Sequence, residues 1–113
     1  MHEFGIAESV LNAALEAARK NGAAKVEVVR LRVGALSGVV EEALTFAFES
    51  LAEDTPAQGA QLLVEAVPVT CYCVPCAQEF EAPRFSYRCP VCQTLSQEVR
   101  RGRELELISI EVT

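Results

Sequence analysis

Two short motifs, Cys73-Val74-Pro75-Cys76 and Cys89-Pro90-Val91-Cys92, determine how the second half of this chain folds. Two residues between paired cysteines form a tight turn that directs both sulfur atoms at one ion. Twelve residues separate the two pairs, so the two turns can face each other and complete a tetrahedron of thiolates. Zinc accepts this closed four-sulfur arrangement. The spacing therefore predicts one zinc ion bound by both pairs.

The predicted zinc site is structural, because four protein ligands leave no open position for a substrate water. We expect the metal to fold the segment 70–95, which has few apolar residues of its own. Iron in a rubredoxin-like electron carrier fits the same ligands and is an alternative. The fifth cysteine, Cys71, is interpreted as a structural residue at the end of a strand. Its alternative role is that of a further metal ligand, or of a thiol that exchanges with Cys73 when the redox or metal status changes.

The composition of the 113-residue chain favours a folded protein, because half of its residues are apolar. Its net charge of -6 disfavours binding to phosphate backbones. The dense basic run Arg100, Arg101 and Arg103 is interpreted as a solvated turn before a strand. A docking patch for an acidic partner is its alternative interpretation.

The expected location of the chain is the cytoplasm, away from the membrane. The N-terminus lacks the basic and apolar regions of a signal peptide, and no apolar run approaches the roughly 20 residues that span a bilayer. In a reducing compartment, five cysteines between positions 71 and 92 indicate metal binding, not disulfides.

Apolar periodicity predicts helices over 4–20 and 40–53, and strands over 25–33, 60–69 and 104–112. Asn21-Gly22 ends the first helix and Asp54-Thr55-Pro56 ends the second. The Val28-Val29 pair breaks the alternation of the first strand, which indicates a bulge or burial on both faces. No regular element is predicted in the cysteine segment. The order is therefore helix, strand, helix, strand, cysteine insert, strand.

The N-terminal sequence Met1-His2-Glu3 contains the single histidine of the chain. A solvated or hydrogen-bonded side chain is one interpretation of His2. Beside the chain terminus, however, its imidazole, deprotonated backbone nitrogens and the terminal amine of Met1 can bind one ion together. Such nitrogen-rich, near-planar sets suit Ni(II) and Cu(II). The carboxylate of Glu3 is predicted to orient this site or to supply an oxygen ligand.

Catalysis is not indicated by the sequence. The chain has neither the G-x-x-x-x-G-K-[ST] phosphate loop nor the H-E-x-x-H metalloprotease motif. Ser9 and Ser37 lack a second histidine that would complete a nucleophilic arrangement. We therefore predict a protein that is not an enzyme.

These features together resemble the HypA/HybF family of nickel metallochaperones, which serve [NiFe]-hydrogenase maturation. The resemblance covers the whole chain and rests on segments in a shared order: Met1-His2-Glu3, Val33-Gly34, Ala47-Phe48-Glu49, Cys73/Cys76, Cys89-Pro90-Val91-Cys92 and Leu107-Ile108-Ser109-Ile110-Glu111.

The resemblance implies an α+β fold with two helices packed on a three-stranded mixed sheet and an inserted four-cysteine zinc module. It divides the chain into a nickel-binding domain, residues 1–69 completed by the strand 103–113, and a zinc module, residues 70–96. Nickel binds near His2 and Glu3, with the backbone amine of Met1 as a further ligand. Zinc(II) is structural and is held by Cys73, Cys76, Cys89 and Cys92.

The function that the resemblance implies is transient capture of Ni(II) and its delivery for hydrogenase maturation. The implied partners are a nickel-handling GTPase and the hydrogenase large subunit precursor, without nucleic acid; a homodimer is left open. The alternative function is a zinc-ribbon module that binds nucleic acid or a transcription complex. Salt-sensitive binding to DNA or RNA would favour that alternative.

The sequence departs from the resembled family at the start of the second helix. Some members use an acidic residue there as a further nickel ligand. The position that aligns from Gly34 is Val40 in this chain. Glu41 or Glu42 is then the substitute ligand that the sequence offers.

Overall fold

The computed structural model of the protein describes residues 2–83 and 86–113, which form two α-helices and two three-stranded sheets. None of the helices in these ranges has the length and apolar character needed to cross a bilayer. The helices are α1 (His2–Lys20) and α2 (Glu41–Ala52), and a short 3-10 turn spans Ala35–Ser37. The strands are β1 (Val26–Gly34), β2 (Gln61–Val67), β3 (Thr70–Cys73), β4 (Gln78–Glu81), β5 (Glu98–Arg101) and β6 (Leu105–Val112).

The chain divides into two compact units. The first comprises the residues up to Arg32, Val39–Glu65 and Glu106–Thr113; the second comprises Val33–Gly38 and Ala66–Leu105. We call them the helical unit and the cysteine unit.

The first sheet has the strand order β2-β1-β6, with β1 at its centre. Thr113 N–H donates to the Lys25 carbonyl at one end (3.0 Å) and Gly34 N–H donates to the Glu104 carbonyl at the other (2.7 Å). β6 therefore runs antiparallel to β1. α2 connects β1 to β2, as a crossover between parallel neighbouring strands requires. The predicted mixed sheet with two helices is confirmed.

The core of the helical unit is built from residues three or four positions apart on each helix. α1 buries Ala7, Leu11, Ala14 and Ala18, and α2 buries Leu44, Ala47, Phe48 and Ala52. The part of β1 in this unit buries Val26, Val29 and Leu31. Val26 and Val29 are three residues apart, at the place where the sequence predicted a break in alternation. From Val29 onward, the buried residues are two residues apart.

Ion pairs occupy the β1 positions that alternate with the core. Arg32 pairs with Glu65 on β2 at 2.7 Å and with Glu106 on β6 at 3.5 Å. Arg30 pairs with Glu111 on β6. Exposed pairs of this kind contribute little to stability because water and salt screen them. They place the positive charges of the central strand next to the acidic residues of both neighbours.

The cysteine unit contains a second sheet that the sequence did not predict. β3 pairs antiparallel with β4 and with β5, so that Cys71 lies opposite Phe80 on one side and Val99 on the other. A small core forms from Val69, Cys71 and Ala82, with Leu36, Phe80, Tyr87 and Val99 packed against it. Each strand is four residues long, too short to produce a clear alternating pattern.

Several predicted boundaries are wrong at the edges of this unit. The predicted strand 60–69 ends at Val67, and β3 begins at Thr70. Pro68 separates them because proline cannot donate a hydrogen bond to a sheet. Cys71 lies within β3, not at the end of a strand.

The interpretation of the basic run as a solvated turn is also wrong, because Arg100 and Arg101 belong to β5. Arg101 pairs with Glu79. Arg100 pairs with Glu98 at 2.6 Å and lies over the Tyr72 ring, 4.0 Å from its centroid. The charges of these arginines are thus partly balanced within the unit.

Two glycines of the cysteine unit allow two backbone segments to approach closely. A Cβ atom placed on Gly34 would lie 2.1 Å from the Gly102 carbonyl oxygen. Gly102 has φ of 124°, and its carbonyl accepts a hydrogen bond from Leu36 N–H at 2.7 Å. The approach depends on the absence of a side chain at Gly34, since the atoms it would meet belong to the backbone.

Replacing Gly34 with alanine should lower the free energy of unfolding of the zinc-loaded protein by at least about 2 kcal/mol, because a backbone must move to admit the methyl group. Gly5→Ala is the matched control: its added Cβ meets no atom of the described residues within 4 Å. In helix α1 it should stabilise by about 0.5–1 kcal/mol. Urea unfolding measures both, and equal stability of Gly34→Ala and the natural protein would contradict the close approach.

Candidate metal centre

The sulfur atoms of Cys73, Cys76, Cys89 and Cys92 all lie within 4.8 Å of one another. Among the described residues they are the one group of three or more His, Cys, Asp or Glu side chains close enough to hold an ion. The structure therefore brings together the four cysteines that the sequence predicted as zinc ligands. Cys71 is not part of this group, and its side chain is fully buried in the core of the cysteine unit.

Each cysteine pair lies on a turn closed by a backbone hydrogen bond. After Cys76, Ala77 adopts a positive φ of 51° and its N–H donates to the Val74 carbonyl at 3.2 Å. After Cys92, Gln93 has φ of 67° and its N–H donates to the Cys89 carbonyl at 2.9 Å. Both turns reverse the chain directly after the second cysteine, so that the two sulfurs of a pair point to the same side.

A hydroxyl connects the second turn to the sheet that carries the first. Ser96 Oγ donates to the Tyr72 carbonyl at 2.7 Å, next to Cys73. Ser96 N–H donates to the Tyr87 carbonyl at 2.7 Å, and Cys89 N–H donates to the Thr94 carbonyl at 2.9 Å. These bonds hold the two turns opposite each other.

The donor set fits zinc. A tetrahedron with Zn–S bonds of about 2.3 Å has sulfur atoms about 3.8 Å apart. The sulfurs of Cys73 and Cys92 are 3.4 Å apart, and the upper limit for the group is 4.8 Å. The separation that zinc requires lies between these two values.

The thiols differ in acidity because their hydrogen-bond partners differ. The hydroxyl and the backbone N–H of Thr94 hold the pKa of Cys92 at about 6. Hydrogen bonding to Cys92, followed by burial, raises the pKa of Cys76 to about 12. The backbone N–H of Cys92 lowers the pKa of Cys89. Thiolate ligands bind metal, and here the second turn carries the more acidic pair.

The predicted nickel ligands lie at the start of α1. His2 is exposed and Glu3 is half-buried, whereas Met1 lies outside the described residues. Within the described ranges, His2 and Glu3 belong to no group of three candidate ligands. The structure thus does not assemble a complete nickel site from side chains.

Glu3 makes a contact that the sequence did not reveal. Its Oε2 atom accepts a hydrogen bond from Val40 N–H at 3.1 Å. This bond is the main reason that the pKa of Glu3 is lowered. It also places the first turn of α1 beside the start of α2, where Glu41 and Glu42 are exposed.

One protein family matches almost the whole length of the chain. Residues 1–112 match the model of a family described as hydrogenase/urease nickel incorporation, metallochaperone, hypA. A hydrogenase maturation factor HypA from Picosynechococcus is 48% identical over 112 residues, which cover 99% of each chain. Another, from Chloroflexus aggregans, is 44% identical and 98% of each chain is covered.

Solved structures share the fold. The solution structure of the nickel metallochaperone HypA from Helicobacter pylori aligns with a TM-score of 0.63 at 26% identity, covering 97% of this chain and 96% of that one. A second solution structure, of a HypA protein, aligns with a TM-score of 0.66 at 26% identity, covering 100% and 97%.

Removal of zinc should expose the buried thiol of Cys71. In zinc-loaded protein at pH 7, Cys71 lies in the core of the cysteine unit and should resist iodoacetamide. In zinc-free protein the small core should no longer hold the unit folded, so Cys71 should be labelled within a time that leaves it unlabelled in the zinc-loaded protein.

Peptide mapping by mass spectrometry measures the labelling of Cys71. Adding zinc back before the reagent is the control and should restore protection. Equal labelling of Cys71 with and without zinc would contradict the dependence of the unit on the metal.

Proposed function

Because this chain belongs to the HypA family of nickel-incorporation metallochaperones, we propose that its N-terminus captures Ni(II) while its four-cysteine site holds zinc. The protein is a nickel metallochaperone for hydrogenase maturation, not an enzyme. Nothing favours the alternative of a nucleic-acid-binding zinc ribbon, and Arg100 and Arg101 of its basic run are already paired with glutamates.

Zinc is proposed to bind Cys73, Cys76, Cys89 and Cys92. The support is that their sulfurs converge within 4.8 Å. With four protein ligands, the ion cross-links the two turns of the cysteine unit and offers no position for a substrate. The small apolar core of this unit explains why it needs a metal cross-link.

Nickel is proposed to bind the imidazole of His2, the backbone nitrogens of His2 and Glu3, and the terminal amine of Met1. The observation that carries this proposal is that α1 begins at His2. The first N–H groups of a helix have no acceptor within it. Their nitrogens can therefore lose a proton and bind metal without breaking a helical hydrogen bond. The exposed imidazole of His2 completes a nitrogen-rich set that suits Ni(II).

We assign nickel capture to the domain formed by residues 1–69 and 103–113, and zinc to the module 70–96. A carrier must release its metal, so an exposed terminal site suits the transient ion and a closed thiolate site suits the resident one. Nickel capture should weaken as pH falls, because the nitrogen ligands must be deprotonated.

The role in hydrogenase maturation implies interaction with other maturation factors and with hydrogenase. We propose a nickel-handling GTPase as donor or co-chaperone and the hydrogenase large subunit precursor as acceptor, in the cytoplasm. A homodimer formed by exchange of an element between two copies is compatible with a chain of two units.

A calorimetric Ni(II) titration tests the nickel site. Zinc-loaded protein with an untagged N-terminus should bind one nickel ion, and His2→Ala should weaken this binding at least about 10-fold while zinc is retained. Extending the chain by two residues before Met1 should have a similar effect, because the terminal amine moves away from His2.

Glu8→Ala, on the exposed side of α1, serves as the control and should bind nickel normally. Two results would refute the terminal site. One is equal binding by His2→Ala and the natural protein, and the other is nickel binding only as zinc leaves the cysteines.

A further inference from the structure

The start of α2 lacks the residues that usually cap a helix. Its N-cap residue is Val40, whose side chain makes no capping hydrogen bond. In a capping box, a glutamate or glutamine three residues after the N-cap accepts a hydrogen bond from the N-cap N–H. That position is Ala43 here, which has no acceptor. The N-cap N–H of α2 therefore has no acceptor within the first turn of its own helix.

Glu3 provides this acceptor from the other helix of the unit. Its Oε2 atom lies 3.1 Å from Val40 N, across a sequence separation of 37 residues. The carboxylate thus takes the place of the missing glutamate of a capping box. Its negative charge also lies at the helix N-terminus, where the helix dipole favours it.

The carboxylate of Glu3 forms no ion pair in the part of the chain that the structure describes, and the charge of His2 is a lesser cause of its lowered pKa than the hydrogen bond from Val40. Five other glutamates form ion pairs with arginines in the two sheets, namely Glu65, Glu79, Glu98, Glu106 and Glu111. Among those described residues, Glu3 forms no ion pair. The hydrogen bond from Val40 of α2, with a lesser one from its own backbone N–H, therefore holds this carboxylate in place of a salt bridge.

We propose that the carboxylate of Glu3 is a positioning group and not a nickel ligand. It fastens the first turn of α1 to the first peptide of α2, and so fixes the backbone nitrogens of His2 and Glu3 that are proposed to bind nickel. This inference rests on the proposed terminal nickel site. This role requires only that Oε2 stays on Val40 N–H, and it needs no bond from the carboxylate to nickel.

The hydrogen bond between Glu3 and Val40 also brings the start of α2 beside the proposed nickel ligands. Glu3 is adjacent to His2 in sequence, and Val40 is adjacent to Glu41, so one hydrogen bond brings both helix starts together. Groups that orient a ligand without touching the metal commonly change metal affinity by about 10-fold to 100-fold when removed. Glu3 is expected to act in this range.

Comparison of Glu3→Gln with Glu3→Ala tests the proposal. The glutamine side chain keeps an oxygen that can accept from Val40 N–H but is a much poorer nickel ligand than a carboxylate. Glu3→Gln should therefore bind Ni(II) within about threefold of the natural protein, and Glu3→Ala should bind about 10-fold more weakly or worse. Zinc-loaded, untagged protein is used throughout, with Glu8→Ala as the matched control on the exposed side of α1.

Hydrogen exchange of the Val40 amide, measured by NMR without nickel, reports the anchor directly. The amide should be protected in the natural protein and in Glu3→Gln, and should exchange faster in Glu3→Ala. Rescue by glutamine of both protection and affinity would support positioning.

Three results would overturn the proposal: a Val40 amide unprotected in the natural protein, Glu3→Gln as weak as Glu3→Ala with Val40 still protected, or Glu3→Ala with normal nickel affinity. Failure of the terminal site itself is distinguishable. In that case His2→Ala would bind nickel normally, whereas the exchange of Val40 would still report whether the anchor exists.

Discussion

The convergence of four thiol sulfurs is the constraint on which the second half of the molecule depends. The cysteine unit has three strands of four residues and a core of few side chains. Such a core contributes little against the conformational entropy of the ordered chain. The two turns must therefore be fixed by ligation, and the hydrogen bonds of Ser96 and Thr94 hold them in the orientation that ligation requires.

The four-cysteine site and the proposed nickel site differ in chemistry because one must retain its ion and the other must release it. The four thiols are soft ligands on closed turns, and two of them are fully or almost fully buried. Such a site retains its ion and stabilises a fold. The proposed nickel site has nitrogen donors at the start of α1, where His2 is exposed. It is suited to an ion that must be passed to another protein.

The two helices connect this second site to the core. α1 and α2 pack against each other and bury alanine, leucine and phenylalanine side chains. The hydrogen bond between Glu3 and Val40 adds a polar contact at the starts of the two helices. Polar anchoring at an exposed end allows precise placement of backbone nitrogens while the site stays open to solvent.

The sequence by itself determined the features that depend on local spacing. The two cysteine pairs, the helices with their apolar stripes, and the order of the three long strands follow from residues a few positions apart. Only the tertiary structure decided the second sheet, the approach of Gly34 to Gly102, and the contact of Glu3 with Val40. The short strands leave no periodic signal, and the two contacts join residues far apart in the chain. Such contacts form only when the helices and strands pack, because the sequence around Glu3 or Gly34 does not indicate which distant residue each will contact.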